Sequence, residues 1–212
     1  MNKICLVDLD DTLVDLKEPM KVAMDKETGK DIPWSDWDHF DVPSIYGLSQ
    51  DEFLDLCIRH QVLENSVIHP QSYRFLDDLN NLGYHTVLIT ARGWHPRGKE
   101  ITEKYISDHE LTVDELILVG VDESKAELAK KFGKIKFTID DRMKHCREYM
   151  MSGIVENVLL FDAPWNSYMS RLNPFVGGHD YHQRVHNLHE IVRYIAQKDN
   201  SADADRRLEN VC

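Results

Sequence analysis

The sequence predicts an α/β fold: a parallel sheet with helices on both faces and a small helical insert after the first strand. Three observations predict it. Short apolar runs recur at Ile4–Val7, His85–Ile89, Leu116–Val119, Lys136–Ile139 and Asn157–Phe161, the first of them without polar alternation, as in a strand buried on both faces. Helical patterns separate the later runs, and strands alternating with helices in short units imply a parallel sheet covered on both sides. Residues 14–69, directly after the first run, hold no strand-like apolar stretch. Residues 1–13 and 70–197 are therefore expected to form the core and 14–69 the insert, with 198–212 as a loose, charged tail.

In chain order, the first strand runs straight into Asp8, Asp10 and Asp11. The insert carries two helical pieces, about Asp15–Glu27 and Ser49–Gln61. The second opens on Ser49 with Glu52 three residues on, a capping box. Between them Pro33, Pro43 and Gly47 break the chain, and Trp34, Trp37, Phe40 and Tyr46 supply aromatic surface. From Pro70 the pattern becomes regular. A helix over Pro70–Leu82 begins on proline and stops at Gly83, and the strand that follows ends in Thr90-Ala91-Arg92. Further helices are expected at Pro96–His109, Glu123–Phe132, Arg142–Ser152 and Arg184–Gln197. The strands between them end at Gly120, at Asp140-Asp141 and at Asp162.

Composition narrows the function classes. With 37 Asp and Glu against 25 Lys and Arg, the formal net charge is -12, which opposes tight binding to a nucleic-acid backbone, where cations neutralise phosphates. Cys5, Cys57, Cys146 and Cys212 are scattered with no C-x-x-C pair, arguing against a zinc cluster or disulfide framework. No stretch approaches the roughly 18 apolar residues of a membrane span, and Met1–Lys3 leads directly into the first strand. A cytoplasmic protein without membrane contact is expected. His179, His182, His186 and His189 fall at helical spacing, but Gly177-Gly178 interrupts a helix there and no ligand triad accompanies them; they read as solvated or substrate-loop histidines.

Ligands of open parallel sheets sit beyond the carboxyl ends of the strands, so Asp8, Thr90, Asp140 and Asp162 should meet along one edge. Asp8 and Asp10, two residues apart in extended chain, face the same side. One could act as nucleophile while the other moves protons, with a hard cation such as Mg²⁺ held through oxygen ligands by Asp8, Asp10, Asp140 and Asp141. Such a pocket is too negative to admit a phosphate without the cation and a positive side chain. Lys125, at a helix start, supplies the latter. Thr90, backbone N–H groups around Leu9 and Ala91, and Arg92 are further donors to a phosphoryl group or leaving group.

D-L-D-D-T after an apolar strand, Thr90 closing V-L-I-T, Lys125 before a helix, and Asp140-Asp141 closing F-T-I-D-D together resemble the four motifs of the haloacid dehalogenase superfamily, in order, over about Lys3–Asp162. The resemblance implies a Rossmann-like core, Mg²⁺, and a phospho-aspartyl intermediate. On it Asp8 attacks phosphorus, Asp10 serves as acid and then base, and Thr90 and Lys125 hold the transferring group; the insert is then a helical cap. I-D-D-R, L-L-F-D-A-P-W-N and R-V-H-N-L-H-E-I are similar to the 5'(3')-deoxyribonucleotidase family, which implies a nucleoside monophosphate as substrate and cap aromatics against the base. Trp34, Trp37 and Phe40 are the expected substrate contacts, beside Thr90, Ala91, Arg92 and Lys125. Leu188 stands where that family would carry an aromatic. Asp141 is preferred to Asp140 as inner metal ligand, and Asp11 reads as a loop or supporting residue. A polynucleotide 3'-phosphatase, a phosphatase of sugars or other small metabolites, and a non-catalytic binding module are the alternatives. A homodimer is left open.

Overall fold

The computed structural model describes residues 3–120, 123–166 and 180–209, with side chains through Asp199. Six parallel strands form one sheet: β1 (Lys3–Val7), β4 (Tyr84–Thr90), β5 (Glu115–Leu118), β6 (Ile135–Asp140), β7 (Val155–Phe161) and β8 (Gln183–Val185), in the order β5-β4-β1-β6-β7-β8. Helices α4 (Ser72–Asn81), α5 (Gly98–Asp108), α6 (Lys125–Ala129), α7 (Met143–Ser152) and α8 (Leu188–Glu209) follow or separate these strands. Burial on both faces explains the continuous apolar strands. Cys5 and Val7 pack with Phe75, Leu79, Ile191 and Ile195 on one face, while Leu6 packs with Ala126, Cys146 and Tyr149 on the other.

The chain leaves β1 for β4 and β5 on one side, then crosses to β6 on the other. This makes β1 the switch point, where open α/β sheets bind ligands. Register aligns the strand ends: Val7 lies beside Leu88 and Ile139, Thr90 beside Leu118, and Asp140 beside Leu160. The Asp8 backbone N–H donates to the Ile139 carbonyl at 3.0 Å, so the ladder extends one residue past β1 and brings Asp8 level with Asp140.

The insert is helical, with α1 (Lys17–Thr28), a 3-10 turn at Trp34–Asp36, α2 (Val42–Tyr46) and α3 (Gln50–Arg59). The capping box on Ser49 and Glu52 forms as expected. A feature absent from the sequence reading is its neck: β2 (Val14–Asp15) pairs antiparallel with β3 (Val67–Ile68), so the chain enters and leaves the cap through two adjacent two-residue strands. Runs this short carry no recognisable alternation, and only their pairing defines them. The cap has its own core of Met24, Trp37, Tyr46 and Leu56, which continues onto Ile101, Ala163 and Trp165 of the sheet domain.

The C-terminal expectation needs two corrections. Gln183–Val185 is a sixth strand where a helix from Arg184 was expected, because its backbone pairs with Leu159–Phe161 of β7. The last helix does not end at Gln197 but continues through the polar segment to Glu209. Asp199 anchors it, accepting from Lys3 Nζ at 2.7 Å and from the Tyr84 hydroxyl at 3.1 Å. Among the described residues no helix is long and apolar enough to cross a membrane.

Candidate active site

Asp8, Asp140 and Asp141 meet beyond the ends of β1 and β6, all buried, with one carboxylate oxygen from each lying within 4.8 Å of the others. Lys125 enters from the start of α6, where the Ser124 side chain caps the helix by accepting from the Glu127 N–H. Its ammonium sits 2.8 Å from Asp8 and 2.7 Å from Asp140. Burial would lower the Lys125 pKa, but the charges of Asp140 and Asp8 outweigh it and hold the amine above its ordinary value.

One ammonium among three carboxylates leaves them unequal. Burial raises Asp140, yet the charges of His145 and Lys125 reverse this and hold it below the usual carboxylate range. Both of its oxygens are engaged: Lys125 donates to one, the Arg142 N–H donates to the other at 2.9 Å, and His145 Nδ1 lies 3.1 Å from each. Asp8 is pushed up to about 7 by burial, against the pull of Lys125. Asp141 is raised well above the ordinary value, by burial and then by the charges of Asp140, Asp8 and Asp11. Its Oδ2 accepts from the Trp165 indole N–H at 2.7 Å, and Asn166 Nδ2 holds its backbone carbonyl at 2.7 Å.

Two carboxylates pushed toward their neutral forms by burial first, and then by neighbouring carboxylates, are what a divalent cation relieves. The all-oxygen donor set suits Mg²⁺, and the residues fit it: Asp8 and Asp141 as direct carboxylate ligands, with Asp140 occupied in orienting Lys125.

Asp10 stands apart from this cluster. Its carboxylate faces Arg92, whose Nε lies 3.0 Å from both oxygens, and the Thr90 hydroxyl donates to it at 3.2 Å. Asp11 adopts a left-handed turn (φ 55°), which Asp tolerates better than most residues. It accepts from the Leu16 N–H at 3.1 Å and Lys17 Nζ at 3.2 Å, tying the loop after β1 to the first residues of the cap. Burial pushes its carboxyl up to about 6 despite Lys17.

A cavity of about 430 Å³ opens between this edge and the cap. Asp8, Asp10, Asp141, Lys125 and Ala91 line its floor, and Met20, Phe40, Phe53 and Leu54 its cap side. Of the three aromatic residues expected at substrate, only Phe40 borders it. Trp37 is 0% exposed within the cap's own core, edge-on to Tyr46, and Trp34 is 41% exposed away from the lining. Thr90 and Arg92, expected as phosphate contacts, are fully buried, point at Asp10 and do not border the cavity. The Leu9 N–H is engaged by Asp8 Oδ1 at 2.8 Å. Asp162 lies outside the lining and pairs with Arg184 at 2.5 Å.

His145, Trp165 and Asn166 also hold the acidic pair, and none of them is singled out by the sequence. Nothing local marks His145 as a partner of Asp140, since one turn of α7 after the acidic pair creates the contact. Trp165 also stands edge-on to Phe40 at 6.1 Å, and the Arg142 guanidinium lies over the Phe40 ring at 3.9 Å. Of the four histidines, His179 is outside the described residues, His182 accepts from the Val158 N–H at 2.9 Å, His186 lies 3.6 Å from Asp162, and His189 is exposed at the start of α8.

No protein-family model matches the sequence, and no curated protein matches it. Solved structures do. A predicted phosphatase from Clostridium acetobutylicum aligns at TM-score 0.65 and 14% identity over 93% of this chain and 99% of its own. A HAD-superfamily hydrolase of subfamily IA from Geobacter sulfurreducens aligns at 0.54 and 13% identity over 92% and 96%. A D,D-heptose 1,7-bisphosphate phosphatase from B. bronchiseptica, complexed with magnesium and phosphate, aligns at 0.51 and 11% identity over 92% and 99%. This chain therefore has the fold of haloacid dehalogenase superfamily phosphatases and hydrolases, with the Asp8 cluster at its switch point.

Proposed function

We propose that this chain is a phosphomonoesterase that hydrolyses nucleoside monophosphates, deoxyribonucleotides foremost, through a phospho-aspartyl intermediate on Asp8 and with Mg²⁺ as cofactor. The observation that carries the reading is Asp8 itself: a buried carboxylate at the switch point, held by Lys125 beside Asp141, with Asp10 two residues on. Asp8 Oδ attacks phosphorus as the ester P–O bond breaks, and protonated Asp10 gives its proton to the leaving alkoxide. Asp10 then takes a proton from water, whose oxygen displaces Asp8 from phosphorus, releasing inorganic phosphate and restoring both residues. Lys125 keeps Asp8 in place and offers positive charge where negative charge builds on the phosphoryl oxygens. When bound by Asp8 and Asp141, Mg²⁺ supplies charge neutralisation that lets a dianion approach three carboxylates.

The nucleotide assignment rests on the cavity. About 430 Å³ lies within the usual range for small-ligand pockets. Its cap side is mostly apolar, with Phe40 and Phe53 among its aromatics and Trp94 and Trp165 lining it from the sheet domain, which suits a flat base better than a polyol. The net charge of -12 favours a mononucleotide over a polynucleotide. Release of phosphate from ribo- and deoxyribonucleoside monophosphates in Mg²⁺ is the test, with a 3'-phosphorylated oligonucleotide beside them. The expected result is turnover of mononucleotides, abolished by Asp8→Asn. No release from any nucleotide or aryl phosphate, or an active Asp8→Asn enzyme, overturns the proposal.

A further inference from the structure

We infer that Arg92 is a positioning residue for Asp10, holding the proton-transferring carboxylate at a fixed angle to the leaving group, and is not itself a ligand of the phosphoryl group. The inference rests on the reading of Asp10 as acid and base given above.

All three nitrogens of the Arg92 side chain have partners, and Arg92 does not border the cavity. Nε lies 3.0 Å from both oxygens of Asp10, and Nη2 lies 2.5 Å from Oδ1. Nη1 lies 3.4 Å from Thr102 Oγ1, whose hydroxyl donates to the Gly98 carbonyl at 2.6 Å. The Arg92 side chain is 0% exposed while that of Asp10 is 22% exposed. Asp10 thus presents its free edge to the cavity and Arg92 stands behind it. A planar guanidinium grips a carboxylate in one orientation, which a lysine ammonium does not.

The backbone is arranged to keep Arg92 there. Residues 92–98 fold back tightly: the Arg92 carbonyl accepts from the His95 N–H at 3.2 Å, and a Cβ at Gly98 would lie 2.1 Å from that carbonyl. Glycine at 98 is what lets the first turn of α5 bring Thr102 to Nη1. The Thr90 hydroxyl completes the grip at 3.2 Å from Asp10 Oδ2. Both oxygens of Asp10 are therefore fixed by groups that do not border the cavity. Positioning to within a fraction of an ångström is what proton transfer in a transition state requires.

Leaving-group dependence separates this role from phosphate binding. A nucleoside alkoxide must be protonated as it departs, whereas p-nitrophenolate need not be. Arg92→Ala and Arg92→Lys are compared with Asp10→Asn on a nucleoside monophosphate and on p-nitrophenyl phosphate. The expected loss in kcat for Arg92→Ala is about 100-fold on the nucleotide and under about fivefold on the aryl ester. Arg92→Lys shows the same pattern at smaller size, and adding Arg92→Ala to Asp10→Asn costs nothing more on the nucleotide. Equal losses on both esters with a raised KM, or additive losses in the double variant, overturn the inference and return Arg92 to the phosphate.

A wild-type protein inactive on every ester sinks the phosphatase reading instead, and thermal denaturation then decides the pairing. Arg92→Ala should lower Tm in the wild type and lower it less, or raise it, in the Asp10→Ala background. Equal shifts in the two backgrounds overturn the pairing as well.

Discussion

Asp140, behind the floor of the cavity, and Phe40, on its cap side, differ in how they are held. Asp140 is 1% exposed, and both its oxygens are bound by groups from α6, α7 and the following backbone. Phe40 is 48% exposed and lies on an irregular stretch between a 3-10 turn and α2, held by Arg142 over its ring and Trp165 at its edge. The floor is built from charges that would be costly to bury alone, so each needs a partner and its geometry is over-determined. The cap side is built from apolar contacts, which are non-directional and accept many shapes. On the proposed function, chemistry would reside in the first set and substrate choice in the second.

The largest test of that contrast is on the floor. Lys125→Met leaves Asp8 and Asp140 without their shared cation, and the expected loss in kcat is about 10² to 10³-fold in the folded enzyme, read by steady-state phosphate release. A loss below tenfold would break the claim that the floor's charges are interdependent.

Trp37→Ala should show that the cap's inner aromatic is structural. Emptying a fully buried tryptophan site costs about 3–5 kcal/mol, lowering Tm by about 10 °C in a chain of this size. The parallel change Trp34→Ala, at an exposed position, should stay within about 0.5 kcal/mol. Similar shifts for the two would erase the distinction between them.

Trp165→Phe tests whether the two walls communicate. It keeps an aromatic edge against Phe40 but removes the indole N–H from Asp141. The Mg²⁺ concentration for half-maximal activity is expected to rise about tenfold, the usual effect of losing a hydrogen bond to a metal ligand. An unchanged Mg²⁺ titration would place Trp165 wholly with the cap.

The smallest effect is expected at Phe40 itself. Phe40→Ala should raise KM for a nucleoside monophosphate about tenfold, in line with the roughly 1–3 kcal/mol of a base stacking on an aromatic ring. Its kcat on p-nitrophenyl phosphate should stay within about twofold. A larger fall in kcat than rise in KM would move Phe40 from recognition to chemistry.

The strands, their order along the chain and the acidic strand ends were legible because each depends on a few adjacent residues: an apolar run stops, and a carboxylate follows. The cap helices were legible for the same reason, Ser49 and Glu52 most plainly. The neck formed by Val14–Asp15 and Val67–Ile68 was not, since two-residue strands have no periodicity of their own. Nor was β8, whose three residues become a strand only because β7 offers an open edge.

By itself the sequence determined that Asp8 and Asp10 follow directly on a buried strand and that Thr90, Lys125 and Asp140 lie at the sheet's carboxyl edge. Only the tertiary structure decided how they are paired. It gave Lys125 to Asp8 and Asp140, gave Arg92 and Thr90 to Asp10, left Asp141 with an indole donor, and turned Trp37 inward while leaving Phe40 at the cavity. The physical reason is range: propensity and alternation act over a few residues, whereas a buried charge selects its partner from whatever the register and the neighbouring helices bring within about 3 Å.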